Sequence, residues 1–297
     1  MFFQPPKILV ISRTGLQWDT FQESRFAAYQ RLPFSRAPMK SSPTGHAGAK
    51  SARKSAGEIL DAKTALARLE QKGDATRAKA VVRFFKTGKG EYGEGDVFLG
   101  VSVPEVRSLV RIATLPLSEI EKLVRNRLHE ARMLGLLSMV RDYARGDEEA
   151  RKAIFESYTA HARFINNWDL VDCSAEYVVG PTLQSWSKGE RRKWLDRFVR
   201  SDLLWERRIA VLATFHFIKE GESAETLRIA EALLEDRHDL IQKAVGWMLR
   251  EVGKRVARVD LEKFLDTHAS SMPRTMLRYA IEHFTPERRA RYLAMRE

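Results

Sequence analysis

A chain of 297 residues has room for one large domain or two modest ones, and its 44% hydrophobic content supports a core and excludes global disorder. Its single cysteine, Cys173, excludes a disulfide framework and a cysteine-only zinc site, and fits a reducing cytosol. Lysine and arginine number 51 against 39 acidic residues, a net charge of +12, and no apolar run reaches the roughly 18–20 residues of a membrane span.

The charge is unevenly placed. Residues 1–57 hold nine basic and two acidic side chains, so +7 of the excess lies there and only +5 in residues 58–297. The first stretch carries Pro5, Pro6, Pro33, Pro38 and Pro43, then a Ser/Gly/Ala/Lys-rich run from Lys40 to Gly57, without sustained apolar periodicity. It is expected to be a disordered basic tail. The alternatives are an organelle transit peptide, which Asp19 and Glu23 oppose, and a true start at Met39.

Residues 58–297 are expected to form one helical domain. Ile59, Ala62, Leu66 and Leu69 fall at helical spacing, as do Val81, Val82, Phe84 and Phe85. Pro104, Ser118, Asp147, Pro181, Pro273 and Pro286 are expected to mark helix starts. No period-two alternation of any length predicts a sheet.

Comparing the helices reveals a repeat. Anchored at Arg132, Asp169, Arg208 and Lys243, similar segments recur at 37, 39 and 35 residues, the length of two helices and two turns. Helix pairs of that size cannot bury their apolar faces alone, so an all-α, HEAT-like solenoid is expected, with an irregular helical bundle as the alternative. Equivalent helices line one, concave side of such an array. Arg132, Arg208, Lys243 and Arg250 would then form a row of cations able to follow a phosphodiester backbone, unless they are simply a solvated charged face.

Other motifs carry little. Gly88-Lys89-Gly90-Glu91-Tyr92-Gly93 matches GxGxxG formally but follows a helical segment, so a tight turn before Phe98-Leu99-Gly100 is expected and no cofactor. The seven histidines lack metal-ligand spacing, and no metal is expected. Cys173 has no partner marking it as a nucleophile.

The segment Ile165-Asn166-Asn167-Trp168-Asp169-Leu170-Val171-Asp172 differs in kind. Trp168 and Asp172, at i and i+4, share a helix face, and Asp172 interrupts an apolar stripe. Trp205, Arg208 and Trp247 lie on matching helices of the next two repeats, so Trp168, Asp172, Arg208 and Trp247 converge on one patch. The alternative is a buried Asp172–Arg208 ion pair between two core tryptophans.

Phe98-Leu99-Gly100-Val101 with Pro104-Glu105-Val106-Arg107 resembles the N-terminal signature of the AlkD-type DNA alkylation-repair glycosylases. Trp168-Asp169-Leu170-Val171-Asp172 is similar to that family's central motif, Trp205 and Arg208 to an intervening element, and Ile241-Gln242-Lys243-Ala244-Val245-Gly246-Trp247 with Leu249-Arg250-Glu251 to its C-terminal motif. The resemblance spans about residues 75–285. It implies a right-handed superhelix of HEAT-like repeats with duplex DNA on its concave face, and base-excision removal of cationic N3- and N7-alkylated purines without a deep base-flipping pocket. It also implies roles: Asp172 as catalytic carboxylate, Trp168 and Trp247 as sugar-contacting indoles, Arg208 as a backbone contact. Asn167 stands where some relatives have an aromatic. The other readings are a repeat protein that binds damaged or branched DNA without cleaving it, and a protein-interaction scaffold. A monomer in the bacterial cytosol or nucleoid is expected.

Overall fold

The structure, a computed structural model, describes residues 58–82 and 85–295; the expected tail, residues 1–57, lies outside the described residues. A two-residue strand, β1 (Glu58–Ile59), precedes α1 (Ala62–Glu70) and α2 (Ala75–Val82), and α3 (Val103–Ile112) leads into β2 (Ala113–Thr114). Then come α4 (Leu117–Val124), α5 (His129–Arg145), α6 (Glu148–Ala160), a 3-10 turn (Ala162–Phe164), the short α7 (Trp168–Asp172) and α8 (Ala175–Ser185). The chain continues through α9 (Lys188–Val199), α10 (Leu204–Lys219), α11 (Ala224–Ala232), α12 (Asp239–Arg255), α13 (Arg258–His268), α14 (Arg274–Ala280) and α15 (Pro286–Ala294).

The helices form two rows, and the architecture is an all-α solenoid. The inner row runs α5, α8, α10, α12, α14, each packed on the next; α4, α6, α9, α11 and α13 cover it from outside. Two glycines set how closely inner helices approach. A Cβ on Gly180 of α8 would lie 2.4 Å from the Cβ of His216 on α10, and one on Gly246 of α12 would lie 2.4 Å from the Met276 carbonyl oxygen on α14. The core lies between the rows: Leu136, Tyr158, Leu170, Val178, Ile209, Phe217, Ile241 and Leu265 are buried.

Three expectations are corrected. Ile59 is in β1, not on a helix face: β1 pairs in parallel with β2, and Ile59 is exposed. Pro181 does not start a helix but lies inside α8, because the chain breaks earlier, at Cys173 and Ser174, where the Ser174 hydroxyl bonds back to the Leu170 carbonyl at 2.6 Å. Phe85 lies not on a helix but in a turn, and residues 85–102 form a long turn-rich loop. Asp147 is an N-cap, its carboxylate accepting the Ala150 N–H at 2.9 Å, and Pro286 opens α15.

The Phe98–Val101 segment is held by one buried carboxylate. Glu130 of α5 accepts the N–H groups of Leu99 (2.9 Å), Gly100 (2.8 Å) and Val101 (3.2 Å). Gly100 has φ +77°, and a Cβ there would lie 2.2 Å from the Asp74 carbonyl oxygen, so this curl of backbone needs glycine.

Candidate active site

Inner helices begin in one recurring way. The Leu128 N–H donates to Asn126 at 2.9 Å, the Leu203 N–H to Ser201 at 3.0 Å, and the His238 N–H to Asp236 at 2.8 Å. Six residues after each of those acceptors, a side chain reaches back to its carbonyl: Arg132 to Asn126 (2.9 Å), Arg207 to Ser201 (2.7 Å) and Gln242 to Asp236 (3.0 Å). Arg132 is therefore equivalent to Arg207 and Gln242, not to Arg208 and Lys243. The expected anchors are out of register by one residue at Arg132, about 100° around a helix. Asp169 is also misplaced as an anchor, lying in the first turn of α7. Counted from their caps Asn167, Leu203 and His238, the fifth residues of α7, α10 and α12 are Asp172, Arg208 and Lys243.

This register brings Asp172 and Arg208 together. The guanidinium donates from Nε to Oδ1 at 2.9 Å and from Nη2 to Oδ2 at 2.7 Å, a two-pronged ion pair. Its Nη1 donates to the Leu240 carbonyl at 2.6 Å, fastening α10 to α12. Both side chains are 5% exposed. Burial raises the Asp172 pKa above its ordinary value, and the adjacent Arg208 pulls against that rise. Arg208 thus favours the charged form of a carboxylate whose pKa burial still raises on balance.

Trp168 opens α7, its N–H capped by the Asn167 side chain at 2.9 Å. Its indole stacks on Phe85 at 5.5 Å and 17°, and Phe85 stacks in turn on Phe98 at 5.0 Å. Trp247 is buried on α12, one turn beyond Lys243, and its ring packs against Phe215 of α10 at 5.6 Å. The structure therefore joins Asp172 directly to Arg208, leaves Trp168 half-buried beside them, and seats Trp247 against a different aromatic neighbour.

The expected cations are all ion-paired within the chain. Arg132 is buried and donates to Asp96 at 2.6 Å. Lys243 meets Asp239 at 2.9 Å, and Arg250 pairs with Glu282. Lys243 is the least enclosed of the four, with 30% of its side chain exposed.

Several site residues were not foreseen. His129, at the start of α5, bridges two buried carboxylates, Nε2 to Asp169 at 2.8 Å and Nδ1 to Asp96 at 3.2 Å. Burial opposes its charge, but Asp169 and Asp96 overcome this and push its pKa up to about 9. Asp96 also accepts from Asn167 at 3.2 Å, so the loop ending at Asp96 is tied to the entrance of α7. Burial raises the Asp96 pKa, yet His129 and Arg132 bring it net below its ordinary value. Tyr92, in the same loop, meets Trp205 edge-on at 6.0 Å. On the other side of the helix break, Glu176 is buried against Lys219 of α10. The sequence signal for the His129 cluster was polar residues at the ends of otherwise apolar helices, which spacing alone does not pair.

The Gly88–Gly93 segment is a tight turn, as expected: the Gly93 N–H returns to the Lys86 carbonyl at 3.1 Å. Burial pushes the Cys173 thiol well above its ordinary pKa, so it is not poised as a nucleophile. Among the described residues no group of three His, Cys, Asp or Glu side chains could hold a metal ion, and no helix is long and apolar enough to cross a membrane.

Comparison with known proteins places this arrangement. A solved structure described as a predicted DNA alkylation repair enzyme from Enterococcus faecalis shares the fold, with a TM-score of 0.54 at 16% identity, over 72% of this chain and 98% of that one. No curated protein sequence matches. The family model for DNA alkylation repair enzymes matches residues 65–284, which takes in α5 through α14 and every residue of the site, and the chain belongs to that family.

Proposed function

We propose that the protein is a DNA glycosylase that hydrolyses the N-glycosidic bond of cationic N3- and N7-alkylated purines in duplex DNA, acting as a monomer in base excision repair. One observation carries the reading: a buried carboxylate, Asp172, is gripped by both prongs of Arg208 beside the half-buried indole of Trp168.

The chemistry needs little more. In a 7-alkylguanine the ring is already cationic, so when the C1′–N9 bond breaks its electron pair neutralises the base, which departs without a general acid. Positive charge develops on the deoxyribose. Asp172 favours that charge more in the transition state than in the ground state. Trp168 and Trp247 offer indole faces to the cationic sugar. Water then adds to C1′ and loses a proton. Arg208 orients Asp172 and has two N–H donors left for the DNA backbone. Lys243, on the next helix at the same position, is the cation best placed to meet a phosphate, with Arg250 further along α12; Arg132 acts inside the fold by holding Asp96.

A second reading draws on one feature. Both oxygens of Asp172 are engaged by Arg208, as in a purely structural ion pair, which suits a protein that binds damaged or branched DNA without cleaving it. Release of 7-methylguanine from a methylated duplex under single-turnover conditions separates the two. Release by the wild type supports the glycosylase; salt-dependent DNA binding without release supports the binding protein.

A further inference from the structure

A cavity of about 250 Å³ opens at the C-terminal end of α12, between that helix, the start of α13 and the chain that follows α14. Arg250, Lys254, Arg258 and His283 line it, together with the apolar Leu261 and Ala280. Two of its cations continue a row. Lys243, Trp247, Arg250 and Lys254 stand at i, i+4, i+7 and i+11 of α12 and share one face of it. Lys254 lies about 16 Å along the helix axis from Lys243.

The Arg258 side chain is held in a fixed plane. Its guanidinium carbon lies 3.7 Å from the centre of the Phe284 ring, and its Nε donates to Glu262 at 3.0 Å. A guanidinium laid on a ring and tied at Nε keeps its two Nη groups side by side, a fork that matches two phosphate oxygens. Glu262 also takes Arg288, so one carboxylate serves two arginines and the cluster keeps a positive balance. Arg250 is steadied by Glu282, and Lys254 is exposed.

We propose that this cavity is a further DNA contact, holding a backbone phosphate and its deoxyribose away from the lesion. Arg258, Arg250 and Lys254 suit the phosphate, and the apolar Leu261 and Ala280 suit the sugar beside it. A contact of this kind positions the duplex without reading its bases, so it grips damaged and undamaged DNA alike. The inference rests on the proposed function for duplex binding only, not for base release.

Fluorescence anisotropy across a salt series, with full-length protein and duplexes with and without 7-methylguanine, tests it. Arg258→Gln lowers affinity for both duplexes by about tenfold, the scale of one charge-assisted hydrogen bond. It also flattens the salt dependence by about one unit. Single-turnover base release at saturating enzyme is unchanged, because the lesion site is untouched. Arg288→Gln removes a charge from the same Glu262 but from outside the cavity, and leaves affinity unchanged. Lys254→Gln, on an exposed side chain that burdens the fold least, weakens binding in the same lesion-independent way. Wild-type affinity in both Arg258→Gln and Lys254→Gln overturns the proposal, as does an equal loss in Arg288→Gln, which would report bulk charge alone. Inorganic phosphate binding that Arg258→Gln abolishes while DNA affinity stays whole assigns the cavity to a free phosphate compound, and also overturns it. If the wild type binds duplex but releases no base, the glycosylase reading falls, and the affinities still decide the role of the cavity.

Discussion

Asp172→Asn removes one charge and almost no volume from the centre of the site. A carboxylate about 4 Å from a unit positive charge, at an effective dielectric near 20, stabilises it by about 4 kcal/mol. That corresponds to about a thousandfold in rate. Arg208 sharpens the effect, because it remains in the variant. Its Nη2 lies 2.7 Å from Oδ2, so once the carboxylate is neutral a buried cation faces the developing sugar cation unopposed. Single-turnover release of 7-methylguanine should fall by about 10²–10³, with DNA affinity nearly unchanged. Breaking a buried pair costs about 3–5 kcal/mol of stability, so thermal unfolding must accompany the assay and the rate be read below the variant's transition. A folded Asp172→Asn protein that releases base within threefold of the wild-type rate refutes the reasoning, and Asp172 is then structural.

Arg208→Gln removes the charge that opposes burial at Asp172, so the carboxylate pKa rises further. Because activity requires the ionised form, the acid limb of the pH–rate profile should move to higher pH; an unmoved limb refutes this role. His129 is raised to about 9 in the fold, so its ion pairs stabilise fully below its unfolded pKa near 6.5 and are lost as pH rises through 9. His129→Gln should therefore lower the melting temperature at pH 7 and much less at pH 10, and a constant difference would count against the cluster. Gly246→Ala places a Cβ 2.4 Å from the Met276 carbonyl oxygen, and denaturant unfolding should report a loss of about 1–3 kcal/mol. Uracil or hypoxanthine in duplex DNA leaves as an anion or needs protonation, so neither should be excised efficiently; ready removal of either would sink the charge-based mechanism.

The sequence made the repeat, the all-α class and the Trp168–Asp172 segment legible, because each is a local pattern of spacing. It did not make the register legible. Arg132, Arg207 and Arg208 are all arginines near the start of an inner helix, and matching by residue type cannot choose between neighbours 100° apart. The residues two before the caps could have: Asn126, Ser201 and Asp236 each stand six residues before the side chain that reaches back, and aligning on them selects Arg207. The Asp96–His129–Asp169 cluster was hidden for a different reason. Its members are 33 and 40 residues apart and meet only when the loop and two helices pack. Pro181 misled because the helix it was expected to open starts earlier, after the break at Ser174, and the proline falls inside it.

Three buried carboxylates lie close along this stretch of chain, and their partners separate them. Asp169 faces inward to His129, which shares Asp96 and belongs to the scaffold of the loop. Glu176, one turn after Asp172, is paired with Lys219, and the ring of Phe215 lies 4.6 Å beneath that same ammonium. Burial raises the pKa of Glu176 despite Lys219, as it does that of Asp172 despite Arg208, so position and not titration separates the two. Glu176→Gln should leave base release within about threefold of wild type, since a charge beyond the helix break, further from C1′ than Asp172, adds little there. A drop comparable to that of Asp172→Asn would mean that the sugar sits further along the groove, between Glu176 and Trp247, and that Asp172 and Arg208 hold the helices rather than the transition state.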